Sequence, residues 1–136
     1  MPAQRFGGRK VMASTQNLLI RPVEINTPVD NATDQSYQFE VRDAEGGEVD
    51  LRGYTAVMQL RPYPKSKKIY DELTTENGRL AIKGSTVYIT FPAGVSAGYK
   101  FDTAVYDLVI VSLGGLKYRI AQGVIRTTPQ VTVVDL

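Results

Sequence analysis

Apolar and polar residues alternate along most of this chain, with the two-residue period of a strand. Over residues 35–42, Tyr37, Phe39 and Val41 fall on one side and Gln38, Glu40 and Arg42 on the other, which predicts a half-buried strand. A second long alternation, residues 54–61, places Tyr54, Ala56, Met58 and Leu60 on one face. Leu80 with Ile82, and then Val87, Ile89 and Phe91, keep phase over two shorter segments. Residues 103–111 (TAVYDLVIV) are apolar on both faces apart from Thr103 and Asp107, the pattern of a central strand covered on each side. In residues 116–126, Tyr118, Ile120 and Val124 share a phase, and Gly123 is a candidate bulge. Phe39, Ile89, Tyr106, Leu108 and Ile110 are expected in the core.

Turn formers separate these segments. Residues 17–25 (NLLIRPVEI) are mostly apolar, but Pro22 has no N–H to give a ladder and confines them to an edge or a bulge. Residues 26–34 are rich in Asn, Thr, Pro and Asp and read as a loop. Residues 44–47 turn the chain, and Val49 and Leu51 start the return. Pro62 and Pro64, with Lys65, Lys67 and Lys68, predict an exposed loop leading to a short edge strand at 69–73. Asn77-Gly78 is the strongest two-residue hairpin cue, because both residues tolerate positive φ. Gly114-Gly115 closes another hairpin, and Pro129 interrupts the chain before a final strand at 131–134. No stretch of ten or more residues has a helical period with a cap. Seven or eight short strands bounded by Gly, Pro or Asn predict an all-β, immunoglobulin-like antiparallel β-sandwich. The sequence has no Cys and no Trp, so the likeness is to the architecture without its disulfide and packing indole.

Residues 1–16 have no sustained period and read as an extended N-terminal arm, with the sandwich domain at 17–136. Two readings of the arm stand side by side. It is a frayed terminus, or it is a docking arm with Phe6 as anchor and Arg5, Arg9 and Lys10 as its charges. At about 3.3 Å per residue it could reach on the order of 50 Å.

A chain of 136 residues fits one domain, and 43% hydrophobic residues suffice for a core. A formal net charge of +2 gives no broad field for holding nucleic acid. Without His or Cys, the usual zinc sets, thiol nucleophiles and His-based triads are excluded, and no cofactor or metal is expected. No run of 18 apolar residues predicts a spanning helix. Nor does an apolar stretch follow the charges of residues 1–10, so no signal peptide is expected.

Candidate chemistry is sparse. Asp43, Glu45, Glu48 and Asp50 crowd one turn, where carboxylates could hold Ca²⁺, but their spacing does not match an EF-hand loop. A solvated hairpin tip is the favoured reading. Paired carboxylates for glycoside hydrolysis would have to come from Asp71, Glu72, Asp102 or Asp107. Asp107 lies in a very apolar strand, exposed or paired with an arginine such as Arg119. Three lysines between Tyr63 and Tyr70 could grip single-stranded nucleic acid, but such a loop beside an edge strand more often guards against aggregation. Tyr63, Tyr70 and Tyr99 lie near loops, where tyrosine is favoured in protein interfaces. The sequon Asn31-Ala32-Thr33 reads as a chance match.

The stretch VDLRGYTAVMQL at 49–60, with LTTENG at 73–78, residues 84–91, Tyr106-Asp107-Leu108 and Gly123-Val124-Ile125, resembles the small Ig-like virion proteins of tailed phages. It is similar to the N-terminal domain of upper baseplate proteins, which fasten receptor-binding modules to the tail. The resemblance spans roughly residues 35–133, and this chain has Arg52 where the pattern has Thr. It implies a non-enzymatic adaptor at the tail or baseplate, made in the host cytoplasm, present in several copies and bound to other virion proteins. Nucleic acid and membrane are not implied partners, and no catalytic residue is carried over. With no fibre segment after the domain, a free-standing subunit is expected. The alternatives are a capsid decoration protein and, from another class, a glycan-binding or carboxylate-based glycan-hydrolysing module.

Overall fold

The alternating segments fold as strands. The structure, a computed structural model, describes residues 23–43 and 45–134. The arm at 1–16, with Arg5, Phe6, Arg9 and Lys10, and most of the segment at 17–25 lie outside the described residues. The strands are β1 (Val23–Glu24), β2 (Thr27–Asp30), β3 (Gln35–Glu40), β4 (Thr55–Arg61), β5 (Asp71–Thr74), β6 (Leu80–Lys83), β7 (Thr86–Phe91), β8 (Thr103–Val111) and β9 (Lys117–Thr128). One helical turn, α1 (Ala93–Ser96), joins β7 to β8.

They form two sheets. The larger runs β1-β9-β8-β4-β5, with β2 also on β9, and the smaller runs β3-β7-β6. Every pairing is antiparallel except those of β1 and β2, which lie parallel to β9. The two inner faces enclose one apolar core, as in an immunoglobulin-like sandwich. Phe39, Ile89, Tyr106, Leu108 and Ile110 are all buried in it, together with Met58, Leu60, Leu73 and Phe91.

Several local expectations give way to the structure. Residues 27–30, expected in a loop, are β2; Pro28 sits in an edge strand, where its missing N–H interrupts no ladder. Asn77-Gly78 does form a turn, with Gly78 at φ +79°, but it carries the chain from β5 in one sheet to β6 in the other and closes no hairpin. Glu40, expected to face outward, is buried, and its carboxylate accepts from Arg42 Nε at 2.5 Å. In β9 the bulge lies at Ile120, not Gly123: Leu108 pairs with Ala121 and Val109 with Arg119. The extra residue buries Ile120 and Ala121 together and reverses the phase, so Ile125 enters the core and Val124 turns outward. Finally, residues 131–134 join no strand and are exposed.

Candidate functional site

Among the described residues, the strand expected to be covered on both sides is covered on one. Ala104, Tyr106, Leu108 and Ile110 of β8 point into the core, whereas Val105, Asp107, Val109 and Val111 are half-buried on the outer face of the larger sheet. Register places the neighbours. Val124 of β9 and Arg61 of β4 flank Val105; Arg119 and Val57 flank Val109. Between these valine rows runs a polar one: Glu24, Gln122, Asp107, Gln59 and Glu72, one residue from each of five strands. The polar row is bonded sideways. Arg119 pairs with Asp107 at 3.3 Å and donates to Gln122 Oε1 at 3.3 Å, while Gln59 donates to Glu72 at 2.5 Å. A shallow hollow of about 710 Å³ lies over this face, floored by Val105, Gly123 and Val124 and rimmed by Glu24, Arg61 and Lys65.

The loop at 62–70 forms one wall of the hollow. Arg61 fixes it from the sheet: Nε and Nη2 donate to Gln59 Oε1 at 3.2 and 2.6 Å, and Nη1 donates to the Ser66 carbonyl. Ser66 is buried, and its hydroxyl accepts from the Lys68 N–H at 3.0 Å. A proline-bearing loop tied at its centre in this way loses little freedom when a partner binds. Among the described residues, Arg61, Lys65, Lys67 and Lys68 make no ion pair with a carboxylate. The loop therefore carries a local excess of positive charge that the net charge of the chain conceals.

The three tyrosines singled out from the sequence sit in different environments. Tyr63 is 60% exposed at the crest of the loop. Tyr70 is half-buried and stacks on Phe101 with ring centres 4.3 Å apart. Tyr99 tilts against the same ring at 4.8 Å and donates to Asp71 Oδ2 at 2.5 Å. Asp71 also receives Arg79 Nη2 at 2.9 Å, and Arg79 Nε donates to the Thr90 carbonyl at 3.0 Å. This clasp ties β5 of one sheet to β7 of the other. Burial works against the Arg79 charge, but the contacts with Asp71 and Tyr99 more than offset it and raise its pKa. The outer face, in contrast, was not singled out from the sequence; its only signal there was the doubly apolar β8.

Several of the candidate carboxylates have structural partners. Asp71 is held by the clasp, and Asp107 by Arg119. In the acidic turn, Asp43 Oδ1 accepts the N–H groups of Glu45 and Gly47 at 3.0 and 2.7 Å, so this carboxylate shapes the turn itself.

Burial raises the pKa of Tyr99, with Asp71 adding to it, and burial likewise raises that of Tyr106. Both hydroxyls thus hold their protons more tightly in the folded chain than in the unfolded one, where tyrosine ionises near pH 10. Their contribution to stability is complete below that pH and is lost as pH rises through the folded-state values. Urea unfolding between about pH 9 and 11.5 should show a falling stability above pH 10, with a gentler fall in the Tyr99→Phe, Tyr106→Phe double variant. An equal slope in the two proteins would contradict the assignment.

No protein-family model matches the chain, and no curated protein matches it.

Proposed function

We propose that this chain is a non-enzymatic attachment module of a tailed-phage virion, an adaptor at the tail or baseplate that docks on other virion proteins through the outer face of its larger sheet. The observation that carries the docking surface is that face itself: valine rows separated by a fixed polar row, hollowed, and walled by a basic loop with an exposed tyrosine. Mixed apolar and hydrogen-bonding composition, with Tyr and Arg at hand, is what protein interfaces use. The virion assignment rests on the sequence resemblance. The non-enzymatic reading is supported by the engagement of Asp71 and Asp107 in structural ion pairs.

The test is incorporation into particles. Antibody to the chain should label purified phage particles at the tail tip; label spread over the head would favour the decoration role. Val105→Asp, in the floor of the hollow, should change stability by about 1 kcal/mol or less yet reduce the amount of chain in particles severalfold. Full incorporation of that variant would remove the outer face as the docking surface. Absence of the native chain from particles that its own phage produces would remove the virion role.

A further inference from the structure

The segment expected to form a last strand is strand-like in sequence and pairs with no strand among the described residues; only the Gln130 side chain bonds it, donating to the Thr132 carbonyl at 2.7 Å. Val131, Thr132, Val133 and Val134 are all β-favouring residues, and the three valines are 93%, 70% and 68% exposed. Chains seldom leave such a run bare, because it is a template for pairing with another edge.

The same chain offers a complementary edge. In the β6–β7 hairpin, Lys83 pairs with Thr86 across a two-residue turn, and the Thr90 N–H bonds the Arg79 carbonyl at 2.9 Å. This phase directs the N–H and C=O groups of Leu80 and Ile82 away from β7. No hydrogen bond among the described residues takes them up. Two other edges are closed by side chains. On β5, Asn77 donates to the Glu72 carbonyl and accepts from the Thr74 N–H. On β2, Tyr37 donates to the Pro28 carbonyl, Gln35 accepts from the Asp30 N–H, and Pro28 has no N–H to offer. β6 has no such cap.

We propose that residues 131–134 serve as a donor strand that pairs with β6 of a second copy of this chain. Pairing within one copy is ruled out by reach. From β9 to β4 is two strand spacings, about 9 Å, and β6 lies across the core from β4 and β5, about 10 Å further in the other sheet. The link from β9 is Pro129 and Gln130, which span about 7 Å. In a neighbouring copy the phases agree: Val131 and Val133 continue the row of Leu80 and half-buried Ile82, and Thr132 and Val134 lie beside exposed Ala81 and Lys83. Donor and acceptor are different surfaces, so the contact is head-to-tail and builds rings or open chains of subunits. This goes beyond the attachment reading and uses a different surface from it.

Sedimentation velocity on the full chain, from about 10 μM to about 1 mM, should show dimers and larger species growing with concentration. With the two segments parallel, Val131 beside Leu80 and Val134 beside Lys83, the Thr132 N–H faces the Leu80 carbonyl, so Thr132→Pro removes a ladder N–H while leaving the three valines in place and should weaken association by about tenfold or more. The chain has no Cys, so position can be read by disulfide formation. A mixture of Thr132→Cys and Ala81→Cys proteins should cross-link, and a mixture of Thr132→Cys with Gln38→Cys, on β3, should not. A monomer across the whole range, equal association by Thr132→Pro, or preferential linkage to position 38 would each overturn the proposal. None of these results bears on the outer face, which the Val105→Asp variant tests separately.

Discussion

Leu108→Ala should cost about 2–5 kcal/mol of folding stability, while Val109→Ala, the next residue along, should cost about 1 kcal/mol or less. Leu108 is fully buried in β8, with β4 and β9 on either side. Its partners across the sheet, Met58 and Ala121, are also fully buried, so the void left by truncation cannot fill by a side chain swinging in from solvent. Both the lost transfer free energy and the residual cavity then count. Val109 has the same apolar character in sequence but lies on the half-exposed outer face, where truncation leaves no enclosed cavity. Chemical denaturation of the two variants measures the contrast directly. Equal losses would mean that a second layer covers the outer face, and the docking surface would go with it.

This pair also marks how far the sequence could be read. Period-two alternation located β3, β4 and β7, because each packs one face on the core and keeps the other wetter, and β8 showed as a run apolar on both faces. It could not say that β8 has only one covered face, since valine suits an exposed strand as well as a buried one. Tyr118, Ile120 and Val124 share a parity in sequence, and the bulge at Ile120 breaks that parity only through the partner strand, which the sequence does not display. β2 was hidden by Pro28, whose penalty vanishes at an edge. Glu40 looked outward because it alternates with Phe39 and Val41; its partner, Arg42, lies two residues away on the same side of that alternation, and nothing local announces the burial of the pair. The single turn of α1 is too short to show a period. Of the candidate residues, Tyr63 stands on the surface as expected, whereas Tyr70 and Tyr99 are half-buried in an aromatic stack and a clasp whose members are distant in sequence.

Gly123→Ala should destabilise the chain by about 3 kcal/mol, a large effect for one added methyl group. β1 and β2 both lie on β9 but are separated by Ile25 and Asn26, and there the chain crosses directly over Gly123. A Cβ built on Gly123 would overlap the Ile25 carbonyl oxygen and crowd its carbon at 2.6 Å. Neither atom belongs to a side chain that could rotate away. The backbone at Ile25 would have to lift, and three bonds depend on its position. The Ile25 N–H donates to the Gln122 carbonyl at 2.8 Å, the Tyr106 hydroxyl to the Ile25 carbonyl at 2.8 Å, and the Val124 N–H to Asn26 Oδ1 at 3.1 Å. Losing the second strips a buried hydroxyl of its carbonyl acceptor and leaves it only the Thr27 side chain, a loss on the order of 1 kcal/mol. A double-mutant cycle isolates that share. Once Gly123→Ala has displaced Ile25, adding Tyr106→Phe should cost much less than it does in the native chain, because the bond it removes is already broken. If the two substitutions add in full, the strain is relieved elsewhere in β9. If Gly123→Ala alone costs less than about 0.5 kcal/mol, the chain does not pass over this residue, and the β1–β9 register is wrong.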